Sequence, residues 1–267
     1  MDNREELIEI VAQAARDLNI DIMLIGAYAR DYWAARFGLT GNIRTTYDID
    51  FACQIFVWDD FNRFLTHLQT QYHLLSDPRK THSLWLRQDI SLDLVPCGGI
   101  ADQNGIISWP PNYEKQLCVL GYDTAKEHAE TVHFGKFSIK VMKPHWLAML
   151  KMQSYIENPY EREKDLQDVY FIAKNYLECI DLEKRIYADN GIDRDILNMD
   201  SFDITVAGAV LAARDCRRDN PVITENIADR IKRFEDCDLP MAFSRCNKIS
   251  LAFAKAIIAG LSESIGG

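Results

Sequence analysis

The sequence predicts an α+β protein in which a mixed sheet flanked by helices occupies residues 1–143 and an all-helical domain follows over residues 144–267. In the first part, short apolar runs closed by glycine or turn residues alternate with segments of helical periodicity, which is typical of alternating strands and helices. Beyond Lys143 helical periodicity dominates, and Pro144 suits the first turn of a helix. The 267 residues, 48% hydrophobic and 26% charged, are enough for one large domain or two modest ones.

Helices and strands alternate in the prediction for the first 95 residues. Apolar residues at helical spacing predict an amphipathic helix over 5–18, and the apolar run 21–25 closed by Gly26 predicts a buried strand. The further elements predicted here are helices over 27–37 and 59–71 and strands over 47–54, 83–87 and 90–95. We expect the last two strands to pair antiparallel, with Gln88-Asp89 as a tight turn between them.

The rest of the chain changes character at about residue 143. A loop rich in Gly, Pro and Asn is predicted over 96–112, and strand segments are predicted over 116–141, ending with Phe137–Val141. The helices predicted after the change cover residues 145–157, 162–179, 182–189, 203–214, 223–234 and 239–261.

The overall charge argues against a large basic nucleic-acid interface. The formal net charge is −10 and the pI is about 5.1, whereas affinity for a phosphate backbone comes mainly from Lys and Arg. A local basic cleft remains compatible with this balance.

Cysteine usage and the N-terminal segment predict a cytoplasmic protein with no membrane partner. The seven cysteines are odd in number, scattered and without a CxxC pair, which favours buried free thiols over a disulfide framework or a zinc site. The first 20 residues are acidic and amphipathic, which is unlike a signal peptide. The sequence also has no run of 18 apolar residues, so we expect no transmembrane helix.

A glycine turn and three acids carry the chemistry. Gly26 and Ala27 lie between a predicted strand and a predicted helix, where backbone N–H groups favour an anion. Asp48 and Asp50 alternate with apolar residues and therefore share one strand face. Such neighbouring carboxylates repel each other unless they share cations, and their oxygens suit Mg²⁺ or Mn²⁺. Asp93, 43 residues beyond Asp50, is the candidate third ligand; for all three acids the alternative is an ordinary solvated strand residue.

This order of a glycine turn, a DxD pair and a third acid between apolar residues resembles the DNA polymerase β-like nucleotidyltransferase superfamily. Gly26, Asp48, Asp50 and Asp93 stand where that pattern needs them. The resemblance implies that the three acids are catalytic metal ligands and that the N–H groups of Gly26 and Ala27 bind a nucleoside triphosphate. The family usually has Gly or Ser at the position of Ala27, so a serine hydroxyl contact is missing here.

Two arginines are further candidates for binding phosphate. Arg30 and Asp31 belong to a segment that looks like the glycine-containing turn of tRNA-nucleotidyltransferase-like members. Arg30 is expected to contact phosphate or, alternatively, to pair with a neighbouring carboxylate, and Asp31 is expected to be structural. Arg44, four residues before Asp48, could reach a phosphate from its loop.

The start of the helical part resembles the abortive-infection toxin (AbiEii-type) nucleotidyltransferases, which belong to toxin–antitoxin systems. The resemblance rests on Lys143-Pro144, Lys151 and the R-x-K-D-x-x-D run from Arg162 to Asp168, and covers residues 20–175. It implies that Lys151 approaches the triphosphate and that Lys164 or Arg162 assists. From the residues themselves, a solvated lysine and a helix held by salt bridges are the alternatives.

The sequence therefore predicts an enzyme that transfers a nucleoside monophosphate from an NTP to an acceptor hydroxyl and releases pyrophosphate, with Mg²⁺ or Mn²⁺. The acceptor stays open between RNA such as a tRNA end, a protein and a small molecule such as an aminoglycoside. A catalytically silent nucleotide-binding or interaction module of the same fold is the alternative, and Ala27 is the one sequence feature in its favour. The oligomeric state and the role of residues 176–267 are not predicted.

Overall fold

The computed structural model of the protein describes residues 3–39, 46–78, 80–187, 192–198, 203–235, 239–247 and 250–263. It divides into two compact units. The first consists of Met1–Tyr32 and Asn42–Lys143, and the second of Trp33–Gly41 and Pro144–Gly267. The first unit contains the sheets, and the second is helical, so the predicted α+β class is confirmed.

The first unit is built on two sheets and the helices that flank them. Its strands are β1 (Ile22–Ile25), β2 (Asp48–Gln54), β3 (Leu75–Asp77), β4 (Lys80–Leu86), β5 (Ile90–Cys97), β6 (Ile106–Ser108), β7 (Gln116–Cys118), β8 (Glu130–Phe134) and β9 (Phe137–Val141). Its helices are α1 (Asn3–Leu18), α2 (Gly26–Arg36, which continues into the second unit), α3 (Trp58–Tyr72) and α4 (Tyr122–Glu127).

The large sheet is mixed and has seven strands in the order β3-β4-β5-β2-β1-β9-β8. Strand β2 lies near its centre, antiparallel to β1 and parallel to β5. Strands β4 and β5 form the antiparallel pair expected from the sequence, and β6 and β7 form a separate two-stranded sheet. The sheet thus gives β2 a hydrogen-bonded neighbour on each side.

Alternation along β2 separates the core from the candidate acids. Ile49 and Phe51 are fully buried, and they lie on the strand face opposite to Asp48 and Asp50, because successive side chains of a strand point to opposite faces. Burying one apolar side chain of this size contributes about 1.5–3 kcal/mol to folding, so a one-residue slip of β2 would cost several such contributions. The apolar pattern therefore fixes which face carries the acids.

The second unit consists of helices packed against one another, and two of them are largely buried. After α2, its helices are α5 (Pro144–Glu157), α6 (Glu163–Asn175), α7 (Leu182–Tyr187), α8 (Ile204–Asp219), α9 (Pro221–Glu235), α10 (Leu239–Asn247) and α11 (Leu251–Glu263), with 3₁₀ turns at Tyr176–Cys179 and Arg194–Asn198. At Gly208 in α8, an added Cβ would lie 1.9 Å from the carbonyl oxygen of Ala173 in α6. A glycine there lets the two helix backbones approach closely.

A buried aspartate connects the helices of this unit. Asp193 is fully buried and accepts hydrogen bonds from Arg185 at 2.7 Å, Arg218 at 2.7 Å and Arg214 at 3.2 Å. Arg185 and Arg218 also bind Asp215 on α8. Burial alone would raise the pKa of the Asp193 carboxyl, but hydrogen bonds from Arg218 and Arg185 outweigh it and hold that pKa below its usual value.

Most predicted elements are confirmed to within a few residues, but several details are wrong. The predicted 96–112 loop begins inside β5, which extends to Cys97, and it contains β6. Helix α4 interrupts the strand segments predicted over 116–141, and β3 was not predicted. The tight turn between β4 and β5 has three residues, 87–89, because Leu86 pairs with Ile90.

The last helix is also two helices rather than one. Helix α10 ends at Asn247 and α11 begins at Leu251. The Ser250 hydroxyl accepts a hydrogen bond from the Phe253 backbone N–H at 3.2 Å, as a helix N-cap does. A serine that satisfies a free N–H at this point favours a new helix start over continuation.

The sequence also predicts buried free thiols and no transmembrane helix. The six cysteines of the described residues are free, four of them buried; Cys237 lies outside those residues. Burial raises the pKa of the Cys97 thiol to about 12, which keeps it protonated and unreactive. Among the described residues, no helix is both long and apolar enough to cross a membrane.

Replacing Asp193 with Asn should destabilise the helical unit by about 3–5 kcal/mol at pH 7, because three arginines lose a buried anionic partner. The stabilisation is fully present above the unfolded pKa of about 3.9 and is lost as the pH falls through the lower folded pKa. Urea unfolding at pH 7 and at pH 3 should show a smaller pH dependence for the variant.

The matched control is Asp195→Asn, two residues further along the chain, where the side chain is 63% exposed and binds Arg214 at 2.6 Å. It should cost no more than about 1 kcal/mol. Equal losses for the two variants would contradict the structural role of Asp193.

Candidate active site

Three carboxylates occupy one face of two neighbouring strands. Asp50 of β2 pairs in register with Asp93 of β5, and Asp48 pairs with Ser91. Adjacent strands lie about 4.8 Å apart, and residues in register point to the same side. The structure thus brings the backbone positions of Asp48, Asp50 and Asp93 together on the face that is opposite to Ile49 and Phe51.

Gly26 is held against Asp50. It follows β1 directly, Ile25 pairs with Asp50, and its φ of +70° lies in the left-handed region that favours glycine. A Cβ added at Gly26 would lie 2.0 Å from Oδ2 of Asp50 and 2.9 Å from its Cβ. The Asp50 side chain therefore occupies the space that any other residue at position 26 would need.

The same glycine begins α2, so Gly26 and Ala27 provide the first N–H groups of that helix. Helix N-termini carry a partial positive charge, and their first N–H groups have no partner within the helix. The Asp50 carboxylate lies next to this positive end. A helix N-terminus of this kind stabilises a neighbouring carboxylate or another anion.

Asp93 of β5 contacts side chains of β4, the neighbour of β5 on the side away from β2. Ser83 of β4, which is paired with Asp93, donates a hydrogen bond from Oγ to Oδ1 of Asp93 at 2.5 Å. Nζ of Lys80 lies 3.4 Å from Oδ2 of the same carboxylate. Asp50 thus lies against Gly26, which follows β1, and Asp93 contacts side chains of β4, so the two carboxylates have different neighbours.

The donor set fits a hard divalent cation by residue type and by face. Carboxylate oxygens are the ligands that Mg²⁺ and Mn²⁺ prefer, and three of them share this face. Within the described part of the chain, no three His, Cys, Asp or Glu side chains converge as a metal ion requires.

Of the two arginine candidates, the structure describes Arg30 only. Arg30 is buried, 4% exposed, and its Nε donates to Oδ1 of Asp31 at 2.8 Å. This is the pairing with a neighbouring carboxylate that the sequence left as the alternative. Arg44 lies outside the described residues.

Lys151 is engaged within the helical unit. Its Nζ lies 2.9 Å from Oδ1 of Asp165 and 2.7 Å from Oδ2 of Asp168, and its side chain is 14% exposed. Burial alone would lower the pKa of Lys151, but the charges of Asp165 and Asp168 outweigh it and raise that pKa above its usual value. Lys164, in the first turn of α6, is exposed.

Sequence reasoning missed Ser83 and Lys80. Both are contacts of Asp93 that depend on the β4–β5 register, and the predicted two-residue turn would have paired Ser83 with Leu94 instead. In the structure Arg87 and Gln88 adopt positive φ values of 53° and 59°, and Asp89 N–H donates to the Leu86 carbonyl oxygen at 3.0 Å. Turns of this kind are usually signalled by Asn or Gly, and neither residue type stands at position 87 or 88.

Comparisons with known proteins give no family. No family model matches the chain, and no match is found among curated proteins. Solved structures resemble it, among them the following two. The antibiotic-resistance factor ANT(2'')-Ia is 15% identical with a TM-score of 0.40, over 66% of this chain and 85% of that chain. An antigenic nucleotidyltransferase-like protein from Paracoccidioides brasiliensis is 16% identical with a TM-score of 0.40, over 84% of this chain and 91% of that chain. Similarity of this degree establishes neither the fold nor the activity of this chain.

Gly26→Ala should destabilise the first unit and displace Asp50. The positive φ costs about 1–2 kcal/mol, and the clash with Asp50 adds about 1–3 kcal/mol. The matched control is Gly38→Ala, where φ is +63° but an added Cβ meets no atom of the described residues within 4 Å, so only the first cost is expected. Urea unfolding measures the difference, and equal losses would contradict the close contact with Asp50.

Lys151→Met should destabilise the helical unit by about 3–5 kcal/mol, because Asp165 and Asp168 would remain buried without their shared cation. Lys164→Met, the same substitution at an exposed position, should change the stability by less than about 0.5 kcal/mol. Thermal unfolding of both variants tests this. A stable Lys151→Met protein would show that the ion triad is not structural.

Proposed function

We propose that the protein is a divalent-metal-dependent nucleotidyltransferase that transfers a nucleoside monophosphate from an NTP to an acceptor hydroxyl. The observation that carries this proposal is the in-register pair of Asp50 and Asp93 on parallel strands, with Asp48 on the same face and Gly26 against Asp50. Three acids on one face would repel one another without a cation, and acids are poor strand formers. Their placement beside a helix N-terminus supports a site for a charged, metal-bound phosphate.

In the proposed reaction the acceptor oxygen forms a bond to the α-phosphorus of the NTP, and the bond from that phosphorus to the bridging oxygen breaks to release pyrophosphate. Asp48, Asp50 and Asp93 would hold Mg²⁺ or Mn²⁺, which supplies charge neutralisation for the triphosphate and lowers the pKa of the acceptor hydroxyl. The Asp93 carboxylate accepts the hydroxyl proton, and the N–H groups of Gly26 and Ala27 orient the triphosphate.

The four basic candidates have unequal support in this proposal. Arg30 is paired with Asp31, and Lys151 is already bound by two aspartates, so neither is needed for the proposed chemistry. Lys164 is exposed and accessible to an anionic substrate. Arg44 remains a candidate on its sequence position alone. The carboxylates and the α2 N-terminus carry the proposal without them.

The acceptor is proposed only as a hydroxyl-bearing molecule: an RNA such as a tRNA end, a protein or a small molecule. The net charge of −10 weighs against a broad RNA interface. The toxin–antitoxin assignment and the cytoplasmic location rest on the sequence expectations and are part of the proposal.

A second candidate function is a catalytically silent nucleotide-binding module. Ala27 favours it, because the family pattern usually has Gly or Ser at this position of the glycine turn. The two candidates predict the same nucleotide binding and differ in turnover.

Incubation with each α-labelled NTP, Mn²⁺ or Mg²⁺, and fractionated cell extract should transfer label to one acceptor class. Asp48→Asn and Asp50→Asn should each reduce transfer at least about a hundredfold, because each removes a charged ligand. Asp59→Asn, an exposed acid of the same unit at the start of α3, is the control that should retain activity.

Nucleotide binding without transfer of label to any fraction would favour the silent module. Equal transfer by wild type, Asp48→Asn and Asp50→Asn would exclude the proposed site. Isothermal titration of NTP and metal into the same variants separates lost binding from lost turnover.

A further inference from the structure

The ammonium group of Lys80 lies beside Oδ2 of Asp93. We propose that Lys80 is a displaceable counter-ion with which a divalent cation must compete. This inference rests on the proposed function, because it assumes that Asp93 is a metal ligand. It adds a positioning role for Ser83 and a regulatory role for Lys80, neither of which the motif pattern contains.

The two oxygens of Asp93 have different partners. Oδ1 accepts a hydrogen bond from Oγ of Ser83 at 2.5 Å, and Ser83 is 2% exposed. Oδ2 lies 3.4 Å from Nζ of Lys80, whose side chain is 53% exposed. A buried hydroxyl on a central part of β4 is held in place, whereas a long exposed side chain is free to leave.

This difference identifies the oxygen that is available to a cation. Ser83 is neutral, and its hydrogen bond to Oδ1 is compatible with a metal ion on the other oxygen. Oδ2 is the oxygen that Lys80 contacts, so the ammonium stands where the positive charge of a bound cation would act. Ser83 thus orients the carboxylate, and Lys80 neutralises it until a cation binds.

The energetics favour exchange over permanent pairing. An ion pair whose lysine is 53% exposed contributes between zero and about 1 kcal/mol, whereas a divalent ion carries twice the charge and can contact several carboxylates at once. Loss of Lys80 should therefore leave Asp93 more negative and bind cations more tightly. By contrast, an ordinary surface pair with no part in the site would leave metal affinity unchanged.

The Mn²⁺ affinity of the full chain tests the proposal without any activity measurement. It is measured by titration with Mn²⁺, with electron paramagnetic resonance reporting the concentration of the free ion at each step. Lys80→Gln should bind Mn²⁺ about two- to fivefold more tightly than wild type. Lys80→Arg keeps the charge and should bind no more tightly than wild type. Asp93→Asn should bind more weakly, because it removes the ligand.

The matched control is Lys140→Gln. Lys140 is also a strand lysine of the first unit, and its Nζ lies 3.3 Å from Oδ2 of Asp21, a comparable pair that does not involve Asp93. Its removal changes the net charge equally and should leave Mn²⁺ affinity unchanged in 0.15 M salt, where distant charges are screened. Circular dichroism of each variant confirms the fold.

The outcomes separate this proposal from the proposed function. If Asp93→Asn weakens Mn²⁺ binding but Lys80→Gln binds no more tightly than wild type, Lys80 is not a competitor and the metal site stands. If Lys80→Gln and Lys140→Gln tighten binding equally, the effect is one of net charge and the proposal is wrong. If neither wild type nor Lys80→Gln binds Mn²⁺, both the counter-ion and the proposed metal site are overturned.

Discussion

The register of β2 between β1 and β5 is the constraint on which the candidate site depends. Ile25 and Asp93 both pair with Asp50, so one residue of β2 fixes the glycine turn on one side and the third acid on the other. The buried Ile49 and Phe51 hold that register, because a slip of one residue would bury the acids and expose the apolar side chains. Core packing on one face thus determines the chemistry on the other.

The aspartate carboxylates of the two units have different partners. In the helical unit, Asp193 and the pair Asp165 and Asp168 are buried and are bound by cations at 2.6–3.2 Å, and removal of these cations would leave an uncompensated buried charge. On the sheet, Asp50 lies against a helix N-terminus and Asp93 contacts a half-exposed lysine. The first arrangement is fixed by burial, whereas the lysine that contacts Asp93 is half exposed.

The sequence was sufficient to predict the main elements and the shared face of Asp48 and Asp50, because both follow from the spacing of apolar residues. It did not predict β3 or β6, which have three residues each and are too short to show a period. It could not decide between phosphate and Asp31 as the partner of Arg30, since a guanidinium suits both anions and only burial distinguishes them. Lys151 posed the same problem, because its two aspartates lie 14 and 17 residues away on another helix.

The β4–β5 turn shows most clearly why the details of a site exceed what a pattern predicts. A two-residue turn and a three-residue turn give the same two strands, but only the latter sets Ser83 opposite Asp93. The choice depends on Arg87 and Gln88 adopting positive φ, which neither residue type signals. The hydrophobic pattern favours this register, because it keeps Leu84 and Leu92 opposite each other in the core. Packing of the core therefore selects the turn, and the turn in turn decides which side chains surround the third carboxylate.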